Sequence, residues 1–325
     1  MSKINLFLLV PPRGGSNLLY DILCTSKNVE HMDYDEGEKY FADMPTYLNP
    51  WAPCSCVHGF ASRNIRFYRS YDRYDWTRIK DVWNEAWDTA RTSRPILIEK
   101  SPPNIFRYDM LAREFPNSIF IGMLRNPYSQ IESWTRHFGK NKDPHSLHDY
   151  YVDWVRHAEW LIKAKDELGD RMLLLNYEEL VNNVYDVFRR IHTFLSLLND
   201  IWIPYPLLDR NGSGMKRFDY VDLNHINDAI LDRTMFTIER IKEERSLALL
   251  EYFRYDIWRE EDLGDTIMEL FDTRKYLPHV KNDKYFEYFK VHSDGLVHDS
   301  VPGWMLRLGL ASKHYQPMFY RRKYL

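Results

Sequence analysis

Apolar residues gather in four short runs, at 4–10, 96–99, 118–124 and 171–175, each the length of one buried strand. Helical spacing follows at 16–27, 104–115, from Pro127 onward and over 178–198, with further helical patterns at 79–91, 147–168 and 222–254. Near-continuous apolar runs suit strands covered on both faces, and strand–helix alternation is the mark of a parallel sheet. The expected fold class is therefore α/β, a central parallel sheet flanked by helices. Residues 32–77 are rich in Tyr, Trp, Pro and Asp without a clean period. A segment of that length suits a lid or binding loop rather than a passive connection. Its aromatic side chains, among them Tyr40, Trp51, Tyr68, Tyr74 and Trp76, read equally as an acceptor pocket or as core. Pro204 and Pro206 break the pattern before the glycines at 212 and 214. The main domain is expected over 1–260. Residues 261–325, aromatic and ending Tyr320-Arg321-Arg322-Lys323-Tyr324-Leu325, are expected to form a C-terminal extension packing on the same domain.

The first apolar run meets a break with chemical content: Val10-Pro11-Pro12-Arg13-Gly14-Gly15-Ser16-Asn17-Leu18-Leu19. Two glycines allow successive N–H groups to face an anion, the following helix aims its positive end at the same spot, and Arg13 adds a full charge. A strand–loop–helix phosphate cradle results; the alternative is an ordinary glycine-bearing turn. The loop is P-loop-like without being the nucleotide triphosphatase form G-x-x-x-x-G-K-[ST]. Its basic residue precedes the glycines, and Asn17 stands where a Lys-Ser pair would be expected. The run at 118–124 ends in Arg125, with Asn126 suited to cap a helix and Pro127 to start it. Ser133 lies two turns further on. Carboxyl ends of parallel strands bind ligands, so two anion sites there suggest a ligand with separated phosphate groups.

These residues resemble those of the sulfotransferases that use 3′-phosphoadenosine 5′-phosphosulfate (PAPS). Pro12 to Leu19 is similar to their 5′-phosphosulfate loop, commonly P-[RK]-S-G-[TS]-[TN]-L-L, with Gly14 replacing the usual serine and Asn17 the commoner threonine. Arg125-Asn126-Pro127 with Ser133 resembles their 3′-phosphate motif. Glu99-Lys100-Ser101-Pro102 resembles the [ED]-K-x-P segment of the bacterial and Golgi-type branches. Tyr177-Glu178-Glu179-Leu180 resembles the Y-E-[DE]-L element whose tyrosine lies near the adenine. Arg210-Asn211-Gly212 takes the place of the late R-[KN]-G loop that closes on the 3′-phosphate.

The resemblance implies the sulfotransferase fold over 1–260, PAPS as donor, 3′-phosphoadenosine 5′-phosphate (PAP) as product, and in-line transfer to a hydroxyl acceptor. Arg13 and the amides of Gly14, Gly15, Ser16 and Asn17, with Leu18 completing the loop, would hold the 5′ end. Arg125, Ser133, Arg210, Asn211 and Gly212 would hold the 3′-phosphate, which ATP lacks, and Tyr177 would adjoin the adenine. Lys100 would contact the sulfuryl or bridging oxygen, with Glu99 orienting it. The general base would be a glutamate soon after the first helix. Gly37-Glu38 matches best and Glu36 is its rival, with His58 the choice if a histidine serves instead. An acidic surface loop is the plain alternative for 30–38. A P-loop-type nucleotide kinase and a catalytically silent PAP(S)-binding module are the competing functions.

Composition narrows the partners. A net charge of −3 gives no overall basic field for nucleic acid or acidic membranes. The three cysteines, Cys24, Cys54 and Cys56, make no disulfide framework and suggest a reducing compartment. The run at 4–10 is too short to span a membrane and leads straight into the loop, so a cytoplasmic location is expected. The acceptor would be a small molecule, lipid or saccharide precursor. No motif has metal-ligand spacing, and His137 and His157 read as surface histidines.

Overall fold

The apolar run that opens the chain becomes the middle strand of a parallel sheet. A computed structural model describes residues 2–33, 36–37, 40, 65–138, 147–202, 240 and 243–255. Its strands are β1 (Ile4–Leu9), β2 (Val29–His31), β3 (Ile96–Lys100), β4 (Ser118–Leu124) and β5 (Met172–Asn176), in the spatial order β2-β3-β1-β4-β5. β1 pairs on one side with β3, Leu8 opposite Lys100, and on the other with β4, Leu9 opposite Gly122.

Strand side chains alternate between faces, and β1 sends both sets into apolar cores. Leu6, Leu8 and Val10 join a cluster with Leu19 and Leu23 of α1 (Ser16–Leu23), Leu180 of α7 (Tyr177–Asn182) and Ile191 of α8 (Val184–Phe194). Phe7 and Leu9 join a second cluster on the opposite face. There they meet α2 (Ile65–Tyr68), α3 (Trp76–Ala86), α4 (Asn104–Glu114), α5 (Pro127–Phe138), α6 (Leu147–Leu168) and α9 (Glu244–Phe253). Helices thus cover both faces of the sheet, as the alternation of strand and helix signals requires.

Several boundaries differ from the sequence reading. β2 was not expected; it is three residues long, carries Glu30 and His31, and exists through its pairing with β3. α1 stops at Leu23 because the next turn is fastened elsewhere: Ser26 Oγ donates to Asp200 Oδ1 and Lys27 N to Asp200 Oδ2 at 3.0 Å. α3 starts at Trp76, where Asp75 caps it by accepting from Arg78 N at 3.0 Å. The pattern at 178–198 is two helices broken at Asn183, whose φ of −132° and ψ of 49° are not helical. Tyr68, Tyr74 and Trp76 are core residues. Residues 41–64, 203–239 and 256–325, including the expected extension over 261–325, lie outside the described residues.

His157 corrects the surface reading. It is 0% exposed in the stripe Tyr150, Trp154, His157 and Leu161 along α6. Its ring centroid lies 5.0 Å from that of Phe106 and 5.8 Å from that of Trp134. Burial pushes its pKa down to about 4. Below 6.5, its ordinary value, the unfolded chain takes up a proton here that the folded protein refuses. Stability therefore falls as pH drops from 6.5 and levels off below about 4, by about 3 kcal/mol in all. His157→Phe should flatten this dependence in urea titrations between pH 7 and pH 4; a profile as steep as the parent's would assign the loss to other groups.

Candidate active site

The layers part at the carboxyl end of β1. α1 leaves toward one face of the sheet, whereas α4 and α5, following β3 and β4, pack on the other. Such a divergence opens a crevice above the strand ends. The loop lining it contains two left-handed residues, Arg13 at φ 60° and Gly15 at φ 92°. Gly14 N donates to Pro11 O at 3.0 Å, so its amide closes the loop instead of facing an anion, contrary to the expectation. The first intrahelical bond of α1 runs from Leu19 N to Gly15 O at 3.1 Å, and no side chain caps the helix. The amides of Ser16, Asn17 and Leu18 thus form its positive end.

α5 is stitched to this loop. Asn126 Oδ1 caps the helix by accepting from Ser129 N at 2.8 Å. One turn on, Gln130 Nε2 donates to Pro12 O at 3.0 Å, and Arg13 Nε donates to Ser133 Oγ at 3.2 Å. Gln130 and Ser133 share one helix face, so the spacing that singles out Ser133 would have found Gln130 also.

β3 delivers Lys100 as its last residue, with its side chain 1% exposed. Nζ donates to Asn17 Oδ1 at 2.7 Å and to Glu36 Oε1 at 3.1 Å. Glu36 is itself buried, and its Oε2 has no hydrogen-bond partner among the described residues. Glu99 does not orient Lys100, because neighbouring strand residues point to opposite faces. Its carboxylate instead accepts from Gly37 N at 3.0 Å, Ser101 Oγ and Asn104 Nδ2. Burial pushes the Glu99 pKa up, opposed by those hydrogen bonds and by Arg107.

Tyr177 links the loop to Arg125. A Cβ on Gly15 would lie 2.4 Å from Tyr177 Cδ2, so only glycine fits beneath the ring. The Arg125 guanidinium lies 4.8 Å from the centroid of the same ring, and its buried Nε has no hydrogen-bond partner among the described residues. Beside it, half-buried Glu178 accepts from Asn126 N at 3.0 Å. Its pKa is raised by burial, against the pull of Asn126 and Arg125.

Arg13, Gly15, Ser16, Asn17, Leu18, Glu36, Lys100, Arg125, Ser133 and Tyr177 therefore border one crevice. Glu38, His58, Cys54, Cys56, Arg210, Asn211 and Gly212 lie outside the described residues. Gln130, Trp154, Glu178 and Tyr255 hold the site together, although the sequence reading gave none of them a role.

The family model described as "Sulfotransferase family" matches residues 5–200. The chain belongs to the sulfotransferase family. Among curated proteins, none matches it. Similar solved structures include a sulfotransferase from Alicyclobacillus acidocaldarius, at 15% identity and a TM-score of 0.48, covering 79% of this chain and 98% of that one. The sulfotransferase domain of the Synechococcus PCC 7002 olefin synthase has 18% identity and a TM-score of 0.45, covering 79% of this chain and 96% of its own. Retinol dehydratase in complex with androsterone and inactive cofactor PAP has 12% identity and a TM-score of 0.29, covering 86% and 81%. The family match spans the sheet and the crevice of this sulfotransferase but stops short of α9. No described helix is long and apolar enough to cross a membrane.

Gly15→Ala should destabilise the protein by about 1–3 kcal/mol in urea denaturation, combining left-handed strain with the collision against Tyr177. Adding Tyr177→Ala should relieve the collision and leave the strain. A Gly15→Ala protein as stable as the parent would mean that ring and loop separate freely.

Proposed function

We propose that this sulfotransferase moves the sulfuryl group of PAPS to a hydroxyl acceptor and releases PAP. The observation that carries the reading is the pair of cationic stations on one crevice. Arg13 and Lys100 stand beside the amino end of α1, and Arg125 rests on the Tyr177 ring that also packs against Gly15. The Nε of Arg125, with no hydrogen-bond partner among the described residues, and the uncapped amino end of α1 fit a ligand with anionic groups at two points.

When bound, PAPS supplies a sulfuryl group on a good leaving group, and catalysis is then mainly positioning and charge stabilisation. Arg13 and the amides of Ser16, Asn17 and Leu18 hold the 5′ end; the amide of Gly14 is left to the loop. Lys100 Nζ counters the charge that grows on the bridging oxygen. Arg125 and Ser133, with the Arg210–Gly212 loop, hold the 3′-phosphate, and Tyr177 adjoins the adenine. Glu36 is the base: Lys100 holds Oε1, and the buried Oε2, with no hydrogen-bond partner among the described residues, is the oxygen left for the acceptor's proton. A base so placed contributes roughly 10²–10⁴-fold. Glu38 is the second candidate. The acceptor is a small molecule, lipid or saccharide precursor of the cytoplasm.

Thermal-shift titration tests the donor. PAP should stabilise the protein strongly, AMP weakly, and ATP with magnesium little; a preference for ATP with magnesium would favour a kinase. Transfer of labelled sulfate from PAPS to a panel of alcohols, phenols and sugars separates an enzyme from a silent binding module. Glu36→Gln should lower that transfer by roughly 10²–10⁴-fold while leaving the PAP shift intact. Full rate in this variant would move the base elsewhere.

A further inference from the structure

Where β4 ends and α5 has not begun, three successive residues have a backbone group held by a side chain from elsewhere. Leu124 O accepts from Tyr255 Oη at 2.8 Å, Arg125 O accepts from Trp154 Nε1 at 3.0 Å, and Asn126 N donates to Glu178 Oε1 at 3.0 Å. The three side chains come from α6, from α7 and from the residue just beyond the turn that ends α9. The held segment carries Arg125, whose guanidinium hydrogen-bonds to no other described residue and rests on the Tyr177 ring. Its direction therefore depends on the backbone that bears it.

Tyr255 is brought there by a defined turn. α9 is docked by buried Leu249, Leu250 and Phe253, and by Asn176 Nδ2 donating to Phe253 O at 2.7 Å. Arg254 ends the helix in the left-handed region at φ 57°. Tyr255 N then folds back onto Leu250 O at 2.8 Å, a helix-closing motif. The Tyr255 ring stacks on Phe253 at 6.1 Å. Burial first, then the Glu178 carboxylate, pushes ionisation of Tyr255 well above its ordinary range, so its hydroxyl stays a donor.

We propose that Tyr255, together with Trp154 and Glu178, positions Arg125 for the 3′-phosphate, so that a segment beyond the family match completes the nucleotide site. The inference rests on the reading of Arg125 as a 3′-phosphate ligand. PAP and AMP differ only in that phosphate, which makes the ratio of their affinities the readout.

Isothermal titration should show Tyr255→Phe, which removes one oxygen, weakening PAP about three- to tenfold and AMP less than twofold. Arg125→Ala should bring PAP close to AMP, and adding Tyr255→Phe to it should cost PAP nothing further. If Arg125→Ala leaves the ratio unchanged, the reading of Arg125 fails and the positioning role falls with it. If Arg125→Ala collapses the ratio while Tyr255→Phe leaves it alone, or weakens both nucleotides equally, the positioning role alone is overturned.

Discussion

A buried ammonium group has to be compensated where it sits, and Lys100, with 1% of its side chain exposed, sets that requirement at the centre of the crevice. Asn17 and Glu36 meet it, which ties the first turn of α1 and the segment after β2 to the end of β3. The neighbouring strand residue does complementary work on the opposite face. Glu99 holds Gly37 N, while Trp83 Nε1 donates to Gly37 O at 3.2 Å. Two consecutive strand residues, pointing opposite ways, thereby fasten two consecutive loop residues.

The second station follows the same economy of backbone groups. Past the last rung of a sheet, carbonyls and amides lose their ladder partners and must find others. At the junction after β4 those partners are side chains, and each ties another helix to the strand end. The loop after β1 is treated likewise, with Pro12 O taken by Gln130. Both stations are therefore tied to several helices because the polar groups left over by the sheet need satisfying, and fixed dipoles are what electrostatic catalysis requires.

Much of this was legible along the chain. Apolar runs named four of the strands because most of their side chains pack into the clusters on the two faces of the sheet. β2 escaped because an edge strand of three residues with two charged or polar side chains leaves no such run. The positions of the loop, Lys100 and Arg125 at strand ends were legible, because an apolar run leads straight into each. The amide of Gly14 was not, because its direction follows from a left-handed Arg13 that no composition rule forecasts. His157 was misread as a lone polar residue, although its spacing from Trp154 and Leu161 marked the buried stripe. Tyr255 was out of reach: it bonds a carbonyl 131 residues away, and only the packed fold brings them together.

The central place of β1 bears on how the chain is made. Its apolar residues are synthesised well before their partners, for Ile4 pairs with Ile96 and Asn5 with Ser118. Contacts so distant along the chain form slowly, and unpaired strand edges are prone to aggregate meanwhile. In the nascent chain β1 therefore lacks its full set of sheet partners until β4 has been synthesised. The turn between β1 and α1 can reach its final setting only after that, because Gln130 and Ser133, which hold it, follow β4.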